Sequence, residues 1–182
     1  MKLASFDNSW YKPGSSLKRG VWYITNYIFF NCSWFPFSKV KVVILRLFGA
    51  QIGRNVLIKP RVNIKYPWNL KVGNNVWIGE SVWLDSLGKI TIGDDVCISQ
   101  GAFLLTGNHN YKRHSFDLML EDIILENGVW VGAKSIVCPG ITCFQGAVLA
   151  VGSVASKDLN SFTIYQGNPA KIIRKRIYQD EG

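Results

Sequence analysis

Two histidines, His109 and His114, are the whole imidazole complement of this 182-residue chain, so they bound the chemistry it can perform. A neutral imidazole titrates near working pH and suits the removal of a proton from a hydroxyl as that hydroxyl attacks. Zinc catalysis of the kind that hydrates carbon dioxide typically uses three histidine ligands, and the chain has too few. No metal is therefore expected. The four cysteines (Cys32, Cys97, Cys138, Cys143) are scattered and form no C-x-x-C. That spacing fits reduced, mostly buried thiols in a cytoplasmic protein. His109 ends the motif TGNH (Thr106 to His109), and Asp85 lies in WLDS, one coil of three hexads earlier. Three roles stay open for Asp85: orienting the imidazole, contacting an acceptor, or lying on a solvated corner. His114 reads as a loop residue.

The elements that must hold these groups are written as a repeat. From Leu125 the chain divides into sixes: LENGVW, VGAKSI, VCPGIT, CFQGAV, LAVGSV. Leu125, Val131, Val137, Cys143 and Leu149 take the first positions. The same hexads run from Ile52 to Asn69, from Val72 to Lys89 and from Ile92 to His109, with two-residue insertions at 70–71 and 90–91. Neither period two nor period 3.6 fits. Each hexad reads as a short strand and a corner, and three hexads make one triangular coil. The fold class is therefore all-β, a parallel β-helix. Corners such as Gly53-Arg54-Asn55, Gly73-Asn74-Asn75 and Gly93-Asp94-Asp95 carry residues that tolerate positive φ. The register breaks after His109, so residues 110–123 are an excursion loop, where site residues concentrate.

The chain divides into three parts: an N-terminal hydrophobic and aromatic segment (1–50), the β-helix (51–167) and a C-terminal basic helix (168–182). The helix is expected because Asn168 suits a cap and Pro169 a first turn. Residues 21–37 (VWYITNYIFFNCSWFPF) hold no charge and are flanked by Lys18, Arg19, Lys39 and Lys41. Two readings fit them: a helical segment packed on the domain, or one lying at a membrane interface. The first twenty residues are too polar for a signal peptide, which points to a cytoplasmic protein, peripheral at the inner membrane face on the second reading. The net charge of +9 invites an anionic partner. No run of five like charges, zinc-finger spacing or RNA-recognition signature accompanies it, so nucleic acid is not expected.

On its hexads, TGNH, VWVGAKSIVCPGIT (Val129 to Thr142), SKD and GNPAKIIR (Gly167 to Arg174), the chain resembles the hexapeptide-repeat acyltransferases. It looks most like the branch of galactoside, maltose and nodulation-factor acetyltransferases and those of colanic-acid-type exopolysaccharides. The resemblance implies a left-handed helix, a homotrimer with sites between subunits, and acetyl-coenzyme A as donor to a hydroxyl of a saccharide acceptor, a polysaccharide or lipid-linked sugar precursor. It implies His109 as catalytic base. It aligns Trp130, Ala133, Val151, Ser156, Lys157 and Arg174 with cofactor contacts. Amino-sugar N-acetyltransferases and drug-modifying acetyltransferases share the architecture, and a non-catalytic β-helix scaffold is the alternative of another class.

Overall fold

The computed structural model describes residues 2–179. Three parallel sheets form the sides of a triangular prism. The first face comprises Gln51–Ile52, Leu70–Val72, Ile90–Ile92, Ile123–Leu125 and Thr142–Cys143. The second comprises Leu57–Ile58, Trp77–Ile78, Cys97–Ile98, Trp130–Val131, Val148–Leu149 and Thr163–Gln166. The third comprises Asn63–Ile64, Trp83–Asp85, Phe103–Leu105, Ile136–Val137 and Val154–Ala155. The strands are only as long as the hexad leaves between corners. Their first-position side chains stack in columns, such as Ile58, Ile78, Ile98, Val131 and Leu149, all buried. Each such side chain contributes about 1.5–3 kcal/mol by leaving water.

The corner from the first face to the second is uniform. Asn55, Asn75 and Asp95 hold φ of 54°, 56° and 57°, and Gly128 continues the series at 70°. Asn55 Nδ2 donates to Asn75 Oδ1 (3.0 Å) and Asn75 Nδ2 to Asp95 Oδ1 (2.9 Å), so the corner is a side-chain ladder. The glycines that open it have a different reason from the expected one. Gly53 and Gly73 are not among the positive-φ residues; a Cβ on Gly53 would overlap the Gly73 carbonyl of the next coil. Close approach fixes them, and the left-handed residue stands two positions later.

The corner from the third face back to the first is irregular, and all the insertions gather there. In the first coil it carries the 3-10 turn Pro67–Asn69. In the third coil the chain leaves as a hairpin, Gly107–His109 antiparallel to Leu118–Leu120, and rejoins the prism at Ile123 beside Ile90.

Residues 16–47 close the first coil. Helix α1 (Ser16–Thr25), whose N-cap Ser15 Oγ accepts from Lys18 N, runs into a π-helical turn, Asn26–Phe30. Helix α2 (Ser38–Leu47) comes next. Trp22, Phe30 and Leu45 are buried, and Trp22 Nε1 donates to Ile64 O at 2.9 Å. Lys41 is buried too, its Nζ donating to Lys59 O at 2.9 Å, and burial holds its pKa below the usual lysine value. The opposite side of the same segment exposes Tyr23, Ile24, Tyr27, Trp34, Phe37 and Val40.

The expected C-terminal helix is a strand. Residues 167–170 turn, and Lys171–Lys175 pairs antiparallel with Thr163–Gln166. The last coil of a β-helix presents an unpaired edge, and satisfying those backbone groups outweighs the helix propensity of AKIIRKRI. Arg176 Nη1 donates to Gly128 O (2.8 Å) and Gly146 O (3.1 Å), fastening the tail to the prism. Residues 180–182 of the expected helix lie outside the described residues.

Candidate active site

His109 ends the first strand of the hairpin, opposite Leu118. Its Nδ1 lies 2.9 Å from the carbonyl oxygen of Phe116. A carbonyl only accepts, so Nδ1 carries the proton in this contact and Nε2 keeps its lone pair, the tautomer a general base needs. The Phe116 ring stacks on the imidazole at 4.3 Å and 4°, and Phe6 closes on it at 5.6 Å. Phe116 has φ of 53°, which costs an aromatic residue about 1–2 kcal/mol. The hairpin end enforces it: Phe116 N donates to Arg113 O at 3.1 Å, and Arg113 pairs with Asp117 at 3.1 Å. The N-terminal arm crosses this hairpin, with Lys2 N donating to His114 O at 2.8 Å. His114 is exposed there and offers its backbone to the arm.

Asp85 is buried at the end of its third-face strand, with one carboxylate oxygen 3.8 Å from where a Cβ on Gly107 would sit. Burial raises its pKa, and Lys65 in the neighbouring coil opposes that rise. Among the described residues no hydrogen bond joins Asp85 to His109. The imidazole is oriented by the Phe116 carbonyl. Asp85 does not line the pocket at His109, and its backbone carbonyl accepts from Thr106 Oγ1. Tyr11 OH donates to Leu87 O at 2.8 Å, and burial holds that phenol well above its usual range. An open pocket of about 430 Å³ faces His109, bounded by Phe6, Tyr11, Arg19, Lys65 and Tyr66.

The residues aligned with the cofactor lie on other parts of the prism. Trp130 is exposed on the second face, its Nε1 donating to Ser99 Oγ at 2.9 Å. Ala133 and Val151 stack at the corner between the second and third faces, where Gly152 N donates to Ala133 O at 2.8 Å. Ser156 and Lys157 are exposed beyond Val154–Ala155, and Asp158 orders their turn by accepting from Thr142 N at 2.8 Å. Arg174 is exposed on the edge strand opposite Ile164. One chain therefore does not gather His109 and these residues into a single cleft. Ala133 and Val151 lie at another corner, Trp130 on the second face and Arg174 on the edge strand. Ser156 and Lys157 follow the third face at the corner His109 also uses, in a later coil.

This architecture recurs in solved structures. The hexapeptide-repeat acetyltransferase VCA0836 of Vibrio cholerae, complexed with acetyl coenzyme A, superposes with a TM-score of 0.80 at 21% identity, over 92% of this chain and 93% of that one. A galactoside acetyltransferase in complex with coenzyme A gives 0.79 at 23% identity, over 90% and 86%. No family-wide sequence profile matches the chain. The Escherichia coli K12 protein assigned to colanic acid biosynthesis as acetyltransferase WcaF is 36% identical over 167 residues, 92% of each chain. The chain belongs to the hexapeptide-repeat acetyltransferases.

As a member of that family it is an acetyltransferase on a left-handed parallel β-helix. Phe116, Phe6, Tyr11, Arg19, Lys65 and Tyr66 surround His109 without having been singled out by sequence. Lys65 and Tyr66 carry a signal after all, since the two-residue insertions mark the corner that departs from the ladder. Phe6 and Phe116 carry none, because each reaches the imidazole through a fold-back.

Proposed function

We propose that the chain transfers an acetyl group from acetyl-coenzyme A to a hydroxyl of a saccharide, with His109 as the base. The observation that carries this is the fixed tautomer of His109, whose Nε2 is left to accept a proton beside an open pocket. In this reading Nε2 takes the proton of the acceptor hydroxyl as its oxygen attacks the thioester carbonyl. The carbon–sulfur bond then breaks, and the imidazolium returns the proton to the coenzyme A thiolate. Phe116 supports the imidazolium through its ring face and its carbonyl. Trp130 and the backbone of Ala133 and Val151 take the pantetheine arm, and Ser156, Lys157 and Arg174 the phosphate end. Asp85, whose backbone carbonyl accepts from Thr106 Oγ1 and whose carboxyl lies beside Gly107, supports the strand that carries His109.

The working unit in this reading is a homotrimer. The separation of His109 from the cofactor corner supports it, since a neighbouring copy brings one corner against another. Native mass spectrometry checks this against three times the 20.5 kDa chain. The names of the relatives support a polysaccharide-type acceptor. The exposed aromatic side of residues 21–37 supports peripheral contact with the cytoplasmic membrane face, since no helix among the described residues is long and apolar enough to cross a membrane.

The test is release of free thiol from acetyl-coenzyme A with a panel of saccharides, comparing wild type with His109→Ala. A loss of about 10²–10⁴-fold in the variant, with coenzyme A binding kept, is the expected result. Turnover that survives the substitution overturns the assignment of the base.

A further inference from the structure

The pocket facing His109 has a neighbour. A second opening of about 400 Å³ runs along α1 between Tyr23, Asn26, Tyr27, Asn31 and Trp83. The two share three lining residues, Arg19, Lys65 and Tyr66. A groove thus leads from the imidazole to the exposed aromatic cap, and both its cations stand at the junction.

Neither cation is neutralised. The ion pairs among the described residues are Arg61–Glu80 and Arg113–Asp117, and neither involves Arg19 or Lys65. Arg19 Nη2 reaches only Ser16 Oγ, at 3.1 Å, and its Nε is buried with no partner among the described residues. A buried donor on a charged group is costly to leave without an acceptor. Residues 8–79 contain eleven Lys and Arg and no Asp or Glu, so the cap supplies no carboxylate to answer them. Asp85, on which Lys65 acts electrostatically, lines neither opening and forms no ion pair among the described residues.

We propose that Arg19 and Lys65 form a phosphate subsite of the acceptor groove, so that the saccharide acceptor carries a phosphate or diphosphate ester. This rests on the reading that the pocket at His109 receives the saccharide. The sugar lies toward the imidazole, the phosphoryl oxygens meet the guanidinium and ammonium groups, and the substituent on the far side of the phosphate runs along Tyr23 and Tyr27. The Arg19 Nη groups, bonded only to Ser16 Oγ, and the Lys65 ammonium offer the charge-assisted donors that phosphate takes.

The test titrates inorganic pyrophosphate into the full chain by calorimetry, with coenzyme A present in saturating amount to occupy its own phosphate-binding cations. Arg19→Gln and Lys65→Gln are each expected to weaken pyrophosphate binding by about 10-fold or more, with melting temperature and coenzyme A affinity kept. Lys65→Arg is expected to retain it. No binding to wild type, or equal binding by both glutamine variants, overturns the proposal. A second arm replaces pyrophosphate with farnesyl diphosphate. Tighter binding assigns the phosphate to a lipid carrier and equal binding to a soluble sugar phosphate, and either ranking upholds the subsite. His109→Ala is expected to bind pyrophosphate like wild type. A chain that fails to bind coenzyme A overturns the transferase reading while the pyrophosphate titration, run without it, still reports on Arg19 and Lys65.

Discussion

Two corners of one prism have obeyed opposite rules. Between the first and second faces, each coil repeats the last: Asn55, Asn75 and Asp95 share one conformation and bond to one another coil by coil. Between the third and first faces, no two coils agree. One carries a 3-10 turn, the next a buried Asp85, the next the hairpin with His109. Repetition satisfies backbone groups by translation. Irregularity breaks the ladder and leaves a pocket with a strained Phe116, over which α1 brings Arg19. Stability and chemistry are thus separated by corner, and each corner can be tested for the other's property.

The largest expected effect is at the irregular corner. His109→Ala should remove about 10²–10⁴-fold of turnover and leave thermal stability within about 0.5 kcal/mol. A large drop in melting temperature would break the separation. Gly73→Ala should do the reverse at the regular corner. Its Cβ would meet the Gly93 backbone, costing about 2–4 kcal/mol in denaturant unfolding while specific activity of the folded fraction is kept.

Asn75→Ala loses both ladder bonds and a residue at ease in the left-handed region, about 1–2 kcal/mol. Asn75→Gly keeps the conformation and should recover part of that loss, which isolates the ladder's share. Phe116→Gly keeps the carbonyl that orients His109 but deletes the stacked ring. It should lower kcat by about 10-fold, worth about 1.4 kcal/mol of barrier, with little change in melting temperature.

The smallest effect concerns Asp85. Burial raises its folded pKa above the unfolded value, so the fold favours the protonated carboxyl. Its contribution is most favourable below the ordinary carboxylate range and declines as pH rises through the raised value. Asp85→Asn should therefore raise stability at about pH 7 by up to about 1 kcal/mol, and the gain should vanish toward about pH 4. A gain that persists at low pH would assign the effect to packing.

The hexads from Ile52 to His109 and from Leu125 onward determined the prism, because a column of first-position aliphatics can be buried only if the chain coils at that period. The TGNH motif at the break in register put His109 forward as the candidate base. What sequence left open needed contacts between residues far apart in the chain. The Phe116 carbonyl reaches His109 because a hairpin folds back, and Phe6 because the arm crosses it. Lys171–Lys175 became a strand because only the finished prism offers it an edge to pair with. Arg19 and Lys65, 46 residues apart, share a groove because α1 caps the first coil. Periodicity is a local property and can be read along the chain. A pocket is an accident of which irregular pieces meet, and only the tertiary structure decides that.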